Sequence, residues 1–169
     1  MLGFVTITDT AGSADRLLAE TARALAAQGL RLAGAIQKNI DRGPDQVCDM
    51  ELRILGDDGP EIGITQDLGN CSEGCRLDTD ALAQAVGRAE AALAQGVDLV
   101  IVNKFGKQES FGGGFRDFIA HALAQDVPVL LSVPTEQLDD FRAFAGDMAE
   151  EIVPGDLIPW CLARVQSPA

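Results

Sequence analysis

The side chains most able to bind or react are few and unevenly placed. Only three lysines occur: Lys38, Lys104 and Lys107. Lys38 follows the apolar run 31–37, and the other two follow the apolar run 97–103. All three are therefore expected at one edge of a sheet. Ammonium groups gathered there would make a basic pocket for an oxyanion or phosphate, reinforced by Arg76 or Arg116 and by free N–H groups at the start of a helix. Solvated loop lysines are the alternative. The loop Thr8-Asp-Thr-Ala-Gly-Ser-Ala-Asp15 lies where a parallel α/β sheet presents its phosphate loop. A Walker-type loop needs Gly-x4-Gly-Lys-Ser/Thr. This one has one glycine, no lysine and two repelling carboxylates, Asp9 and Asp15. It reads either as a degenerate phosphate loop or as an ordinary strand–helix turn with Ser13 as the cap. Gly112-Gly-Gly114 is a lid, an anion nest or a connector.

The cysteines suggest a second chemistry. Cys71-Ser-Glu-Gly-Cys75 lacks the two close pairs usual in structural zinc sites. With Cys48 folded back, three thiolates could hold a soft metal or an oxometal species. Buried thiols are the other reading, and Cys161 beside Trp160 is expected in the core. His121, the only histidine, lies mid-helix and is expected at the surface or partly buried rather than catalytic. No Ser/His/Asp triad can be assembled. Asp57-Asp58 and Asp139-Asp140 read as turn and helix-surface carboxylates.

Positioning these groups requires alternating strands and helices. Leu2–Thr8, Arg31–Gln37, Val97–Asn103 and Val127–Val133 are strand-like; Asp15–Gln28, Thr79–Gln95 and Phe115–Gln125 carry helical spacing. Gly29 is a helix stop, and Asp78 or Thr79 a cap. Leu138, Phe141, Ala145 and Met148 form another helical face, and Gly155–Val165 a last short helix. Such alternation predicts a three-layer α/β sandwich with a mostly parallel sheet. Residues 48–68 resemble a β-hairpin, an insertion or antiparallel extension, within a single α/β domain spanning 1–169.

The 169 residues fit one domain, and 47% hydrophobic composition supplies a sizeable core. A net charge of −13 argues against nucleic acid and anionic membranes as partners, while leaving room for a local anion site. No signal-peptide pattern or membrane-length apolar run is visible, so the chain is expected to be cytoplasmic with reduced thiols.

Asn103-Lys-Phe-Gly-Lys-Gln-Glu109, the helix after it and Val127-Pro-Val-Leu-Leu-Ser-Val-Pro134 resemble the P-loop nucleoside-triphosphatase family of the cancer-related and thermophile enzymes. In that family the strand ends Asp-Glu-Ile-Gly-Lys-Met-Glu. The resemblance implies a P-loop-like topology, a Mg²⁺-organising Asp and a water-orienting Glu. Those two positions are here Asn103 and Lys104. A neutral amide is a poor Mg²⁺ ligand and a lysine is no substitute base, so NTP hydrolysis by the usual P-loop mechanism is not expected.

The whole chain also resembles an uncharacterised bacterial family labelled molybdenum-transport-ATPase-like. The shared pieces are Gly34-Ala-Ile-Gln-Lys-Asn39, Cys48-Asp-Met-Glu-Leu52, Cys75-Arg-Leu-Asp78 and Asn103-Lys-Phe-Gly-Lys-Gln-Glu109. The combined expectation is an anion- or nucleotide-binding protein accessory to molybdenum or molybdenum-cofactor metabolism. Its ligand would be nucleotide phosphate or molybdate, held by Ser13, Lys38, Asn103, Lys104, Lys107, Glu109 and Arg116. The alternatives are a thiol-based metal carrier using Cys48, Cys71 and Cys75, and a non-catalytic module whose acidic faces meet a protein partner.

Overall fold

The apolar runs become strands of one sheet. The computed structural model describes residues 1–8, 12–44, 48–66 and 77–165. Its strands are β1 (Leu2–Ile7), β2 (Leu32–Ile40), β3 (Asp49–Leu55), β4 (Ile62–Gly63), β5 (Leu99–Lys104), β6 (Val129–Pro134) and β7 (Ala149–Glu151). They lie in the order β4-β3-β2-β5-β6-β1-β7. The five strands from β2 to β7 in that order run parallel. β3 and β4 extend the same sheet antiparallel, so the hairpin is continuous with it. The helices are α1 (Ser13–Ala27), α2 (Thr79–Leu93), α3 (Lys107–Ser110), α4 (Arg116–Ala124), α5 (Leu138–Ala145) and α6 (Leu157–Val165).

Strand alternation sorts the core into two layers. Leu99 and Ile101 of β5 pack with Leu18 and Leu25 of α1 and with Leu157 and Trp160 of α6. Val100 and Val102 face the other way, onto Leu82 and Ala89 of α2, Phe118 of α4 and Phe141 of α5. Asn103 continues the parity that points toward α1. Phe105, fully buried just after β5, meets Phe141 edge-on at 5.3 Å, and Phe141 meets Phe4 of β1 at 4.9 Å. Burying each ring contributes about 1.5–3 kcal/mol. Opposite them, Gly3 leaves the space that Ile152 and the indole of Trp160 fill; a Cβ there would lie 2.7 Å from the ring.

Several boundaries differ from expectation. Gly12, in the left-handed conformation at φ 91°, takes the N-cap position, and Ser13 is the first helical residue rather than the cap. The turn into α1 requires a positive φ, which glycine adopts without steric cost. Asp78 does cap α2, accepting from the Asp80 and Ala81 N–H groups at 3.0 Å. β2 runs to Ile40 because β3 pairs with it as far as Ile40↔Asp49. The helical face through Met148 stops at Ala145. Gly146 at φ 54° ends it, a 3-10 turn covers Gly146–Met148, and β7 adds an edge strand beside β1. Among the described residues no helix is long and apolar enough to cross a membrane.

Candidate functional site

The C-terminal strand ends meet the first turn of α1 through three polar side chains. Asn103 is 5% exposed. Its Oδ1 accepts from the Gln37 N–H at 3.0 Å, and its Nδ2 donates to Asp15 Oδ1 at 2.8 Å. The second oxygen of Asp15 accepts from Asn39 Nδ2, also at 2.8 Å. Asp15 thus pins α1 to β2 and β5, and its carboxylate already stands at the helix N-terminal turn. The Asn103 carbonyl is held separately by the Ser132 hydroxyl of β6 at 2.5 Å. An amide suits this place because it both donates to a carboxylate and accepts from a backbone N–H.

On the other face of the sheet, the ends of β2, β5 and β6 open into a cavity of about 320 Å³. Its walls are apolar: Leu52, Ile64, Leu77, Leu82, Val102 and Phe115. Gln37, Gln108 and Gln137 supply amides, and Lys104 and Lys107 stand at its border. Both lysines are exposed, and neither has an ion-pair partner among the described residues. The wall formed by β3 is anchored from outside by Arg88 of α2. That guanidinium donates to both Asp57 oxygens, at 2.8 and 2.9 Å, and to the Pro60 carbonyl at 2.8 Å. These bonds, from Arg88 first and then from the Gly59 N–H, hold the Asp57 carboxyl down at about 2.

The remaining expected residues separate by role. Glu109 borders the cavity but its carboxylate is engaged with the backbone, accepting from the N–H groups of Gly106 and Phe115, both at 2.9 Å. Gly114, at φ 58°, passes so close to that carboxylate that a Cβ would overlap it. Gly114 thereby closes over the Glu109 carboxylate, within the segment that joins α3 to α4. Arg116 does not reinforce a pocket of lysines: it donates to the Glu109 carbonyl at 3.1 Å and lies 4.9 Å over the Phe144 ring. Lys38 is on the same edge as Lys104 and Lys107 but borders a different groove, with Gly12 and Asp15, and stands 3.8 Å from Glu61. Strand alternation sends Lys38 and Lys104 to opposite sides of the sheet. Ser13 starts α1 and does not border the cavity.

Cys48 is exposed at the start of β3 and Cys161 is buried. Burial pushes the Cys161 thiol up to about 12. Cys71, Cys75 and Arg76 lie outside the described residues. Among the described residues no group of three His, Cys, Asp or Glu side chains could hold a metal. His121 is a surface residue whose Nδ1 lies 2.8 Å from Glu90. Sequence reasoning missed Gln108 and Gln137 because a lone glutamine in a short turn of helix carries no spacing signal. It read Asp15 as repelling phosphate and as the start of a helix; the amides of Asn39 and Asn103, each one residue before the end of its strand, were the available clue to its partners.

A family model described as a protein of unknown function, DUF2478, matches residues 4–156, and the chain belongs to that family. Over 139 residues, 82% of its length, the chain is 39% identical to molybdenum import ATP-binding protein ModC 2 of Bradyrhizobium diazoefficiens. It spans only 15% of that protein. Its fold is similar to the solution structure of a human cancer-related nucleoside triphosphatase. The TM-score is 0.66 at 15% identity, covering 98% of this chain and 97% of the other. Both resemblances read from the sequence hold, that to the nucleoside triphosphatases as a likeness of fold.

Proposed function

We propose that this member of the DUF2478 family binds a small anionic ligand, a nucleotide or a molybdate-like oxyanion, without hydrolysing nucleoside triphosphates by the P-loop mechanism. The observation that carries the reading is the pair Lys104 and Lys107, without a counter-ion among the described residues, at the border of an apolar cavity. Two ammonium groups beside a low-dielectric space attract an anion more strongly than the same charges on an open surface. About 320 Å³ lies at the lower end of the range for small-molecule sites. The names of the relatives, an ATP-binding import protein and a nucleoside triphosphatase, support a nucleotide, and the former supports an accessory role in molybdenum metabolism.

The catalytic side of the reading rests on Asn103 and Asp15. At the strand end, the amide of Asn103 is engaged with Asp15 and the Gln37 N–H, leaving it unsuited to organise Mg²⁺. The Asp15 carboxylate would repel a triphosphate drawn to the α1 N-terminus.

Isothermal titration of the purified chain with ATP, GTP, molybdate and tungstate tests the proposal. Binding of at least one is expected, weakened about tenfold or more by Lys104→Ala or Lys107→Ala, and unaffected by Arg142→Ala on α5. No binding of any of the four, or binding indifferent to both lysine substitutions, overturns it.

A further inference from the structure

The sheet extends past its helical cover on the α1 side. α2 packs on β3 on one face, whereas on the other α1 packs chiefly on β2 and β5. The gap is a groove between α1 and the β2–β3 pair, about 500 Å³ beside Asp15 and continuing into about 550 Å³ toward Leu55. Ala19, Arg23, Ile36 and Arg53 border both stretches, so the two are contiguous.

Its chemistry is at odds with the rest of the chain. In a protein of net charge −13, the part beside Asp15 gathers Arg16, Arg23, Lys38 and Arg53 against only two acids, Asp15 and Glu61. Asp15 is engaged by two amides and Glu61 lies by Lys38, while the three arginines have no ion pair among the described residues. The floor is apolar, with Ile36, Leu30 and Leu55 half-buried against the core. Arg16 and Arg23 are seven residues apart on α1, about 10 Å along an axis rising about 1.5 Å per residue.

We propose that this groove docks an amphipathic helix of a partner polypeptide, its acidic edge against Arg16, Arg23 and Arg53 and its apolar edge on Ile36 and Leu55. A neighbouring helix with carboxylates seven residues apart repeats the arginine spacing, and it completes the helical layer over β3. A polyphosphate would match the charge but leave the apolar floor without a partner. In the rhizobial relative, where the matched region is 15% of the chain, neighbouring polypeptide is present to fill such a role.

The test is fluorescence anisotropy with a labelled, end-capped synthetic helix carrying glutamates at seven-residue spacing on one face and leucines on the adjacent face. A scrambled peptide of equal composition and tripolyphosphate are the comparisons. Binding to the ordered peptide is expected, at least about tenfold tighter than to the scrambled one. Arg16→Glu and Arg53→Glu should each weaken it about tenfold, and Arg142→Glu should leave it unchanged. Arg16→Gln and Arg53→Gln, with thermal melting of every variant, cover any failure of the charge reversals to fold. Equal binding of both peptides, no binding, insensitivity to Arg16 and Arg53, or arginine-dependent binding of tripolyphosphate alone would each overturn the proposal.

Discussion

Replacing Glu109 by alanine should damage the fold far more than a surface carboxylate would. The side chain is 5% exposed and its two oxygens accept one backbone N–H each, from Gly106 before α3 and from Phe115 at the start of α4. Truncation leaves two donors without an acceptor, at roughly 1–3 kcal/mol each, so the expected loss is about 2–6 kcal/mol. Water entering from the adjacent cavity would move the value toward the lower end. For a chain of this size about 1 kcal/mol shifts Tm by about 2–4 °C, giving a drop of roughly 4–24 °C. Glu109→Gln keeps one acceptor but turns an NH2 group toward the other N–H, so it should recover only part of the loss. Urea unfolding followed by circular dichroism provides the free energy, and calorimetry provides Tm. An E109A protein within about 0.5 kcal/mol of wild type would refute the claim that this carboxylate is a backbone staple.

Further outcomes follow from neighbouring contacts. Asn103→Asp places a second carboxylate beside Asp15, where a donor now stands at 2.8 Å. A loss of about 2–4 kcal/mol at pH 7, partly regained on acidification as the raised carboxyl takes up a proton, should appear in urea titrations at several pH values. Gly3→Val should displace the single tryptophan and shift its fluorescence, with a loss of about 1–3 kcal/mol. Asp57, held at about 2 against an ordinary 3.8, stabilises the fold above the unfolded value and loses that contribution as pH falls between them. Asp57→Asn should flatten the stability slope in that acid window alone. Alkylation at pH 8 with peptide mapping should modify exposed Cys48 and spare Cys161 until the protein unfolds.

The sheet and its layers were legible wherever one residue set carried one period. Val100, Val102, Leu99 and Ile101 alternate, and a run apolar at both parities can only be covered on both faces. β7 was not legible, because Ala149-Glu-Glu151 is a short edge strand with two exposed carboxylates and takes its conformation from β1. At the site, spacing placed the lysines on one edge but could not assign their sides. Lys38 lies on an antiparallel-paired extension of β2, and Lys104 follows a register shift in β5. Glu109 drew attention through a resemblance in sequence, while its task is set by Gly106 and Phe115, contacts that no one-dimensional pattern contains. The arginine groove was invisible for the same reason: Arg16, Arg23 and Arg53 come from two elements and converge only when the hairpin joins the sheet.

The neighbours of β1 have a consequence for the order of assembly. Both strands that flank it, β6 and β7, come from residues 129–151, so β1 is synthesised well before either of its partners. Meanwhile β2, β3 and β4 can zip together from segments close along the chain. A nascent chain stopped before residue 129 leaves Leu2, Phe4 and Val5 without a lattice to enter, exposing an apolar segment to chaperones. A circular permutant that begins at β2 and carries β1 after α6 should shorten that wait.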